Sequence, residues 1–267
     1  MATTTRVPRF ALACGVVLAL AVAISGLAPD DRQVWLAENA LVAFLAGWLA
    51  LTARSFPLSR LSYAAVLAFL VLHETGAHFT YPRVPYDRVV EAWTGVSIDT
   101  ALAFKRNHWD RLVHLAFGLA FALPLREAAQ RLARARGFWS YAVPLAFVMS
   151  IALVYEFVEW AAAVTLGQGP ASAFVGAQGD PWDAHQDLLM ATVGAAATLF
   201  AAAIADAVRD RRSFWGDWRA SVRPEPGTAS ELPLTVDEPF RHRRRGRTRR
   251  AGGVHAARGV GRRRHGP

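Results

Sequence analysis

Ala184–Val208 reads AHQDLLMATVGAAATLFAAAIADAV, and this stretch decides the fold. After a polar opening, no charged residue interrupts it from Leu188 to Ala205. An α-helix rises about 1.5 Å per residue, so roughly 20 apolar residues cross the ~30 Å hydrocarbon layer of a bilayer. The block therefore predicts a membrane-spanning helix. Its small residues, Ala191, Gly194-Ala195-Ala196-Ala197 and Ala201, permit a neighbouring helix to approach closely.

Five more apolar blocks precede it, at about 10–28, 34–53, 61–80, 107–125 and 139–166. Together they predict an all-α, polytopic membrane helix bundle of about six transmembrane helices over 1–208. Hydrophobic residues make up 53% of the 267, concentrated in these blocks, which argues against a soluble protein. The first block resembles a secretory signal, with Gly26-Leu27-Ala28 as a small-residue cleavage context. Its length and the spans that follow favour a retained helix. The single cysteine, Cys14, excludes an intramolecular disulfide. From 209 to 267 the chain is polar, Pro-rich and Arg-rich and predicts a disordered tail. Much of the net charge of +9 comes from that tail.

Positive charge sets the orientation. Arg6 and Arg9, Arg54 and Arg60, the set Arg126, Arg131, Arg134 and Arg136, and the run beginning Arg209, Arg211, Arg212 alternate with a first loop carrying only Arg32 and a fifth carrying no Lys or Arg. The third loop mixes Arg83, Arg88, Lys105 and Arg106 with Asp87, Glu91 and Asp99. The expected topology is a bacterial plasma (inner) membrane protein with both termini in the cytoplasm. Trp35, Trp93, Trp109, Trp139 and Trp182 fall near span boundaries and read as interfacial belt residues. Glu38 and Asn39 lie near the outer end of the second span and read as interfacial or snorkelling groups.

This topology brings ionisable residues from four helices to one level, the extracytoplasmic leaflet. The third span ends with His73, Glu74 and His78; the fourth begins with His108, Asp110, Arg111 and His114. The fifth carries Tyr155, Glu156 and Glu159 in its outer half, and the sixth begins after Asp180 with Asp183, Gln186 and Asp187. Glu74/His78, Asp110/His114 and Asp183/Asp187 are four apart and Glu156/Glu159 three apart, so each pair shares a helix face. Charged groups facing lipid cost several kcal/mol, which turns these faces into the bundle. Three uses remain open: structural ion pairing with Arg83, Lys105, Arg106 or Arg111, a divalent metal site, and a proton or ion path. His with carboxylates and no thiolate suits Zn, Fe or Mn. The candidate ligands are His78, His108, Asp110, His114 and Asp183, with Glu156, Glu159 and Asp187 as candidate catalytic groups. Glu74, Arg111, Asp180 and Gln186 complete the polar set. The motif HExxH is absent.

At these residues the chain resembles the YjdF-like inner-membrane proteins. The strings are His73-Glu74-Thr75-Gly76-Ala77-His78-Phe79-Thr80-Tyr81 with Val84-Pro85, and Arg106-Asn107-His108-Trp109-Asp110-Arg111-Leu112-Val113-His114. Pro124-Leu125-Arg126-Glu127, Tyr155-Glu156-Phe157-Val158-Glu159-Trp160, and Gly176-Ala177-Gln178-Gly179-Asp180-Pro181-Trp182-Asp183 with Gln186-Asp187 follow in order. The resemblance spans about Ala40 to Ala205. It implies a bacterial membrane helical fold and picks out the same polar residues, and it supplies no reaction. The family pattern has Tyr where this chain has Phe79 and Trp109, and a Lys near His185.

Two classes of function stand beside each other. One is a metal-dependent hydrolase or transferase acting on a lipid-linked substrate, in which a divalent metal activates water and Glu156 or Glu159 serves as base. The other is a cation or small-solute carrier, or a non-catalytic scaffold whose polar cluster is structural. The expected partner is the lipid bilayer, with anionic headgroups drawn to the basic tail. Nucleic acid is disfavoured because no binding fold accompanies the charge.

Overall fold

The computed structural model describes residues 6–166 and 178–223. Gly176, Ala177 and the Arg-rich segment beyond 223 lie outside them. Every regular element among the described residues is helical. These are α1 (Arg9–Ser25), α2 (Arg32–Thr52), α3 (Arg60–Phe79), a 3-10 turn (Tyr81–Arg83), α4 (Tyr86–Thr94) and α5 (Ile98–Ala101). They are followed by α6 (Trp109–Leu132), α7 (Trp139–Leu166), α8 (Asp183–Arg209) and α9 (Arg211–Ser221).

Among the described residues, four helices are long and apolar enough to cross a membrane: α2, α6, α7 over Trp139–Thr165, and α8. The apolar α1 has 17 residues, at the lower limit for a span. The 20 residues of α3 are long enough, but His73, Glu74 and His78 interrupt its apolar character. The protein is a polytopic helical membrane bundle.

Local chemistry sets the helix ends. The Asp31 carboxylate accepts from Gln33 N–H at 2.8 Å and Val34 N–H at 3.1 Å, capping α2. Ser59 caps α3 by accepting from Ser62 N–H at 3.1 Å. Such caps contribute about 1 kcal/mol each. Pro124 and Pro144 sit inside α6 and α7, where neighbouring helices make a missing donor tolerable in a membrane.

The axis of the bundle is α6, which packs on α3, α7 and, most extensively, α8. Gly118 and Gly194 set that last spacing. A Cβ at Gly118 would meet the Ala191 carbonyl oxygen, and one at Gly194 the Leu115 carbonyl oxygen. α1 and α2 pack on α3, so α3 and α6 join two groups of helices.

Two findings depart from the sequence reading. The region beyond 209, expected to be tail, forms α9 over Arg211–Ser221. The Asp210 side chain caps it by accepting from Ser213 N–H at 3.0 Å, and Phe214 and Trp218 pack on Tyr141. Trp139 Nε1 donates to the Ser221 carbonyl at 2.9 Å, tying the helix to the start of α7. The second departure is Trp109, which is 9% exposed and stacks against Tyr86 inside the protein. It is a core residue, unlike Trp93 and Trp182, which are exposed.

Candidate functional site

The C-terminal ends of α1 and α3 meet the N-terminal end of α2 at one end of the bundle. Asp30 N–H donates to the His78 carbonyl at 2.9 Å, and Trp35 Nε1 donates to Ser25 Oγ at 3.0 Å. Glu74 accepts a short hydrogen bond from Ser25 Oγ. The starts of α6 and α8 lie together, since Asn107 N–H donates to Gln178 Oε1 at 3.0 Å and Arg111 donates to Asp180 at 2.6 Å. Polar residues of α1, α2, α3, α6 and α8 collect at this end.

At the centre of this polar end stand Asp110 and His114 on α6 and Asp187 on α8. All three are buried, and each offers a ligand atom within 4.8 Å of the others. Asp110 and His114 are one turn apart, with Oδ1 and Nε2 separated by 3.7 Å. Glu156 of α7 brings Oε1 to 3.4 Å from the same His114 Nε2. Asp187 Oδ1 and His114 Nδ1 have no hydrogen-bond partner among the described residues. Glu159, one turn further along α7, is also buried. Buried carboxylates crowded without matching cations are costly unless they are protonated, paired or bound to a metal.

A second tier closes the polar end. Arg106 Nη2 lies 2.5 Å from Asp183 Oδ1, and Arg111 Nη2 lies 2.6 Å from Asp180 Oδ2. Gln186 Nε2 adds a bond to Asp180 at 3.2 Å. Outside the spans, Asp180 is held below the ordinary carboxylate range, first by the Trp182 N–H and then by Arg111. These are structural ion pairs of the kind the sequence left open. They occupy Asp183, one of the expected metal ligands, with guanidinium groups.

Two other expected ligands also stand apart from the buried triad. His78 Nδ1 lies 2.8 Å from the Ser25 carbonyl, and its ring packs edge-on against Phe79. It ties α3 to α1. His108 stacks on Phe104 with centroids 3.8 Å apart, and its Nδ1 lies 3.0 Å from Arg111. Asp187, expected as a catalytic group, stands instead with the possible ligands.

A neighbouring chain of buried groups carried weaker signals in the sequence. Tyr81 Oη lies 2.6 Å from His73 Nδ1, and His73 Nε2 lies 3.8 Å from Glu38 Oε2. Tyr155 donates to Glu38 Oε2 at 3.4 Å. Glu38 is only 2% exposed. The interfacial reading of Glu38 fails because the residue faces α3 and α7 across the bundle. A carboxylate inside an apolar span, expensive in lipid, was the available signal.

Below the polar groups lies a cavity of about 370 Å³. Its walls are apolar, from Val42 and Leu45 on α2 to Phe117 and Phe121 on α6 and Ile151 on α7. His73, Tyr81, Asp110, His114 and Tyr155 line its polar end.

Bundle, polar end and cavity define an integral membrane protein with a buried His/carboxylate centre. The chain belongs to the DUF2238 family of predicted membrane proteins, which matches residues 10–208. It is 34% identical over 198 residues to the inner membrane protein YjdF of Escherichia coli (strain K12), covering 74% of this chain and 90% of that protein. No solved structure matches.

Proposed function

We propose that this protein is a membrane-embedded, metal-dependent hydrolase or transferase acting on a lipid-linked substrate. The observation that carries this reading is the triad of Asp110, His114 and Asp187, three buried donors within 4.8 Å of one another with Asp187 Oδ1 left without a hydrogen-bond partner. Mixed imidazole and carboxylate donors on facing helices are a recurrent way for bundles to hold Zn, Fe or Mn. Asp110, His114 and Asp187 would hold the ion, and a three-ligand set is the kind that serves catalytic rather than purely structural metals.

A divalent ion there would supply Lewis-acid polarisation and an activated water. Glu156, 3.4 Å from His114, is placed to accept the proton as the water oxygen attacks and to return it to the leaving group. Glu159 lies on the same face of α7, and Arg106 and Arg111 fix Asp183 and Asp180 at the rim. Depth supports a lipid-linked substrate, because Asp110 and His114 stand at the polar end of an apolar cavity. The carrier reading is not favoured, since the cavity walls turn apolar below the cluster.

By analogy with its relative, the protein resides in a bacterial inner membrane. The arginine distribution supports a topology with both termini in the cytoplasm and the polar end on the extracytoplasmic side. The basic tail would then meet anionic headgroups of the inner leaflet.

The test is metal analysis of the purified protein. Stoichiometric divalent metal that is lost in Asp187→Asn and His114→Ala supports the proposal. A folded wild-type protein that binds none after incubation with Zn, Fe or Mn overturns it.

A further inference from the structure

The cavity beneath the polar end is bounded by α2, α3, α6 and α7. α3 and α6 close its back by packing on one another. On the other side, α2 packs on α3 while α7 packs on α6 and α8, and among the described residues α2 and α7 make no extensive contact. The cavity is therefore open between them. Leu41, Phe44 and Trp48 on α2 and Ile151 on α7 line it and are exposed. Both helices qualify as membrane spans, so the opening faces hydrocarbon rather than water.

We propose that the gap between α2 and α7 is a lateral portal through which one acyl chain of a membrane lipid enters the cavity, its polar head resting at the end lined by Asp110 and His114. The polarity of the cavity matches such a molecule. His73, Tyr81, Asp110, His114 and Tyr155 stand at one end, and the lining then runs through Phe117 and Phe121 to Leu125. From Asp110 to Leu125 the wall of α6 extends about 22 Å at 1.5 Å per residue. A lipid of the leaflet nearest the polar end already has its head at that level and its chains pointing toward the bilayer midplane. It can slide in sideways without turning over or leaving the hydrocarbon. Acyl chains are also what the opening meets, because they make up the surrounding medium.

Exposed apolar side chains on both lips make the portal continuous with the lipid-facing surface. Tyr155 and Glu38 meet at the polar end, 3.4 Å apart, and span the gap where the head would rest. Leu45 of α2 and Ile151 of α7 both line the cavity. The assignment rests on the proposed lipid chemistry for its head position, while the chain site stands on the cavity alone.

The experiment uses the full-length protein in phospholipid nanodiscs containing a phospholipid with a diazirine midway along one acyl chain. After illumination, mass spectrometry locates the adducts. The expected result is saturable labelling of Leu45, Phe117 or Phe121, competed by unlabelled phospholipid. Leu45→Trp should reduce it roughly tenfold, as loss of about two buried methylenes would. Ile151→Trp, on the opposite lip, is the second plug, and it serves if the first variant does not fold. Labelling confined to Phe147, Phe157 and Phe200, exposed side chains that do not line the cavity, and linear in probe concentration overturns the portal. Cavity labelling by an isoprenyl diazirine probe and not by the acyl probe overturns the acyl assignment. Asp187→Asn separates the two proposals. Lost metal with undiminished cavity labelling supports both, whereas a wild type without metal that still labels in the cavity sinks the metal reading alone.

Discussion

The Tyr155 hydroxyl lies 3.4 Å from Glu38 Oε2 and joins α7 to α2 across 117 positions of sequence. The two helices otherwise leave a gap beside the cavity. The bond sits at the polar end, with His73 on one side and the His114 ring 6.0 Å from Tyr155 on the other. One side-chain pair thus links the Glu38–His73–Tyr81 chain to the Asp110–His114–Asp187 triad.

Tyr155→Phe removes that link while preserving the ring. A hydrogen bond to a charged or buried acceptor contributes about 1–3 kcal/mol. The expected outcome is a lower Tm in detergent with metal content unchanged. Glu38→Leu should cost a similar amount, because Tyr155 loses its acceptor while His73 Nε2 keeps the Glu38 backbone carbonyl, 3.4 Å away. Thermal unfolding monitored by circular dichroism checks both, and an unchanged Tm in Tyr155→Phe would show that the bond contributes nothing.

His78 and His114 should respond differently to replacement by Ala. His114 supplies a donor to the triad, so its loss should lower metal affinity by a factor of at least 10–100, the range seen when even supporting groups are removed. His78 bonds the Ser25 carbonyl and packs on Phe79, so His78→Ala should lower stability and leave metal stoichiometry intact. Metal analysis and melting of the two variants side by side test this. Loss of metal in His78→Ala would return that residue to the ligand set.

The contact between α6 and α8 depends on hydrogen atoms at two positions. Any side chain at Gly118 or Gly194 meets the backbone of the partner helix. Backbone cannot rotate away as a side chain can, so overpacking here should cost about 1–3 kcal/mol or more. Gly194→Val is expected to reduce the yield of folded protein, while Gly47→Ala, whose new Cβ meets nothing within 4 Å, should be silent. Size-exclusion profiles of the two variants decide the matter.

At the opposite end, Arg126 donates to Asp206 at 2.5 Å, and Tyr141 donates to the same carboxylate at 2.7 Å. The Asp206 side chain is 40% exposed, so solvent screens the pair and its coupling should be on the order of 1 kcal/mol. A double-mutant cycle of Arg126→Ala and Asp206→Ala measures it. A coupling of zero would mean that the aromatic packing of Tyr141 holds this end alone.

The loop containing α4 and α5 should loosen in acid. The Asp87 carboxylate accepts from Asp99 N–H at 3.0 Å and from the Ser97 hydroxyl at 3.0 Å. The Asp99 N–H chiefly holds it below the ordinary carboxylate range. The folded loop thus binds fewer protons than the unfolded one as pH falls. Its stabilisation is complete above the unfolded value of about 3.9 and is lost as pH drops through the lower folded value. Hydrogen exchange of 86–102 should quicken below that range, and Asp87→Asn should be fast already at neutral pH. Equal exchange in the two proteins at neutral pH would refute the role of Asp87.

Apolar length and helix periodicity, both local properties, made the helical membrane class readable from residues such as those between Leu188 and Ala205. Four-residue spacing likewise put Asp110 with His114 on one face, and alternating spans brought both to the same end as Glu156 and Asp187. Spacing along single helices says nothing of rotation between helices. Only packing decided that Asp187 joins the triad while Asp183 turns to Arg106, that His78 bonds Ser25, and that Glu38 lies inside. Trp109 and α9 show the same limit, since an aromatic near a span boundary has the same sequence signature whether it faces headgroups or a core. The portal, too, depends on where α2 and α7 fail to meet, a relation between distant segments that only the tertiary structure could establish.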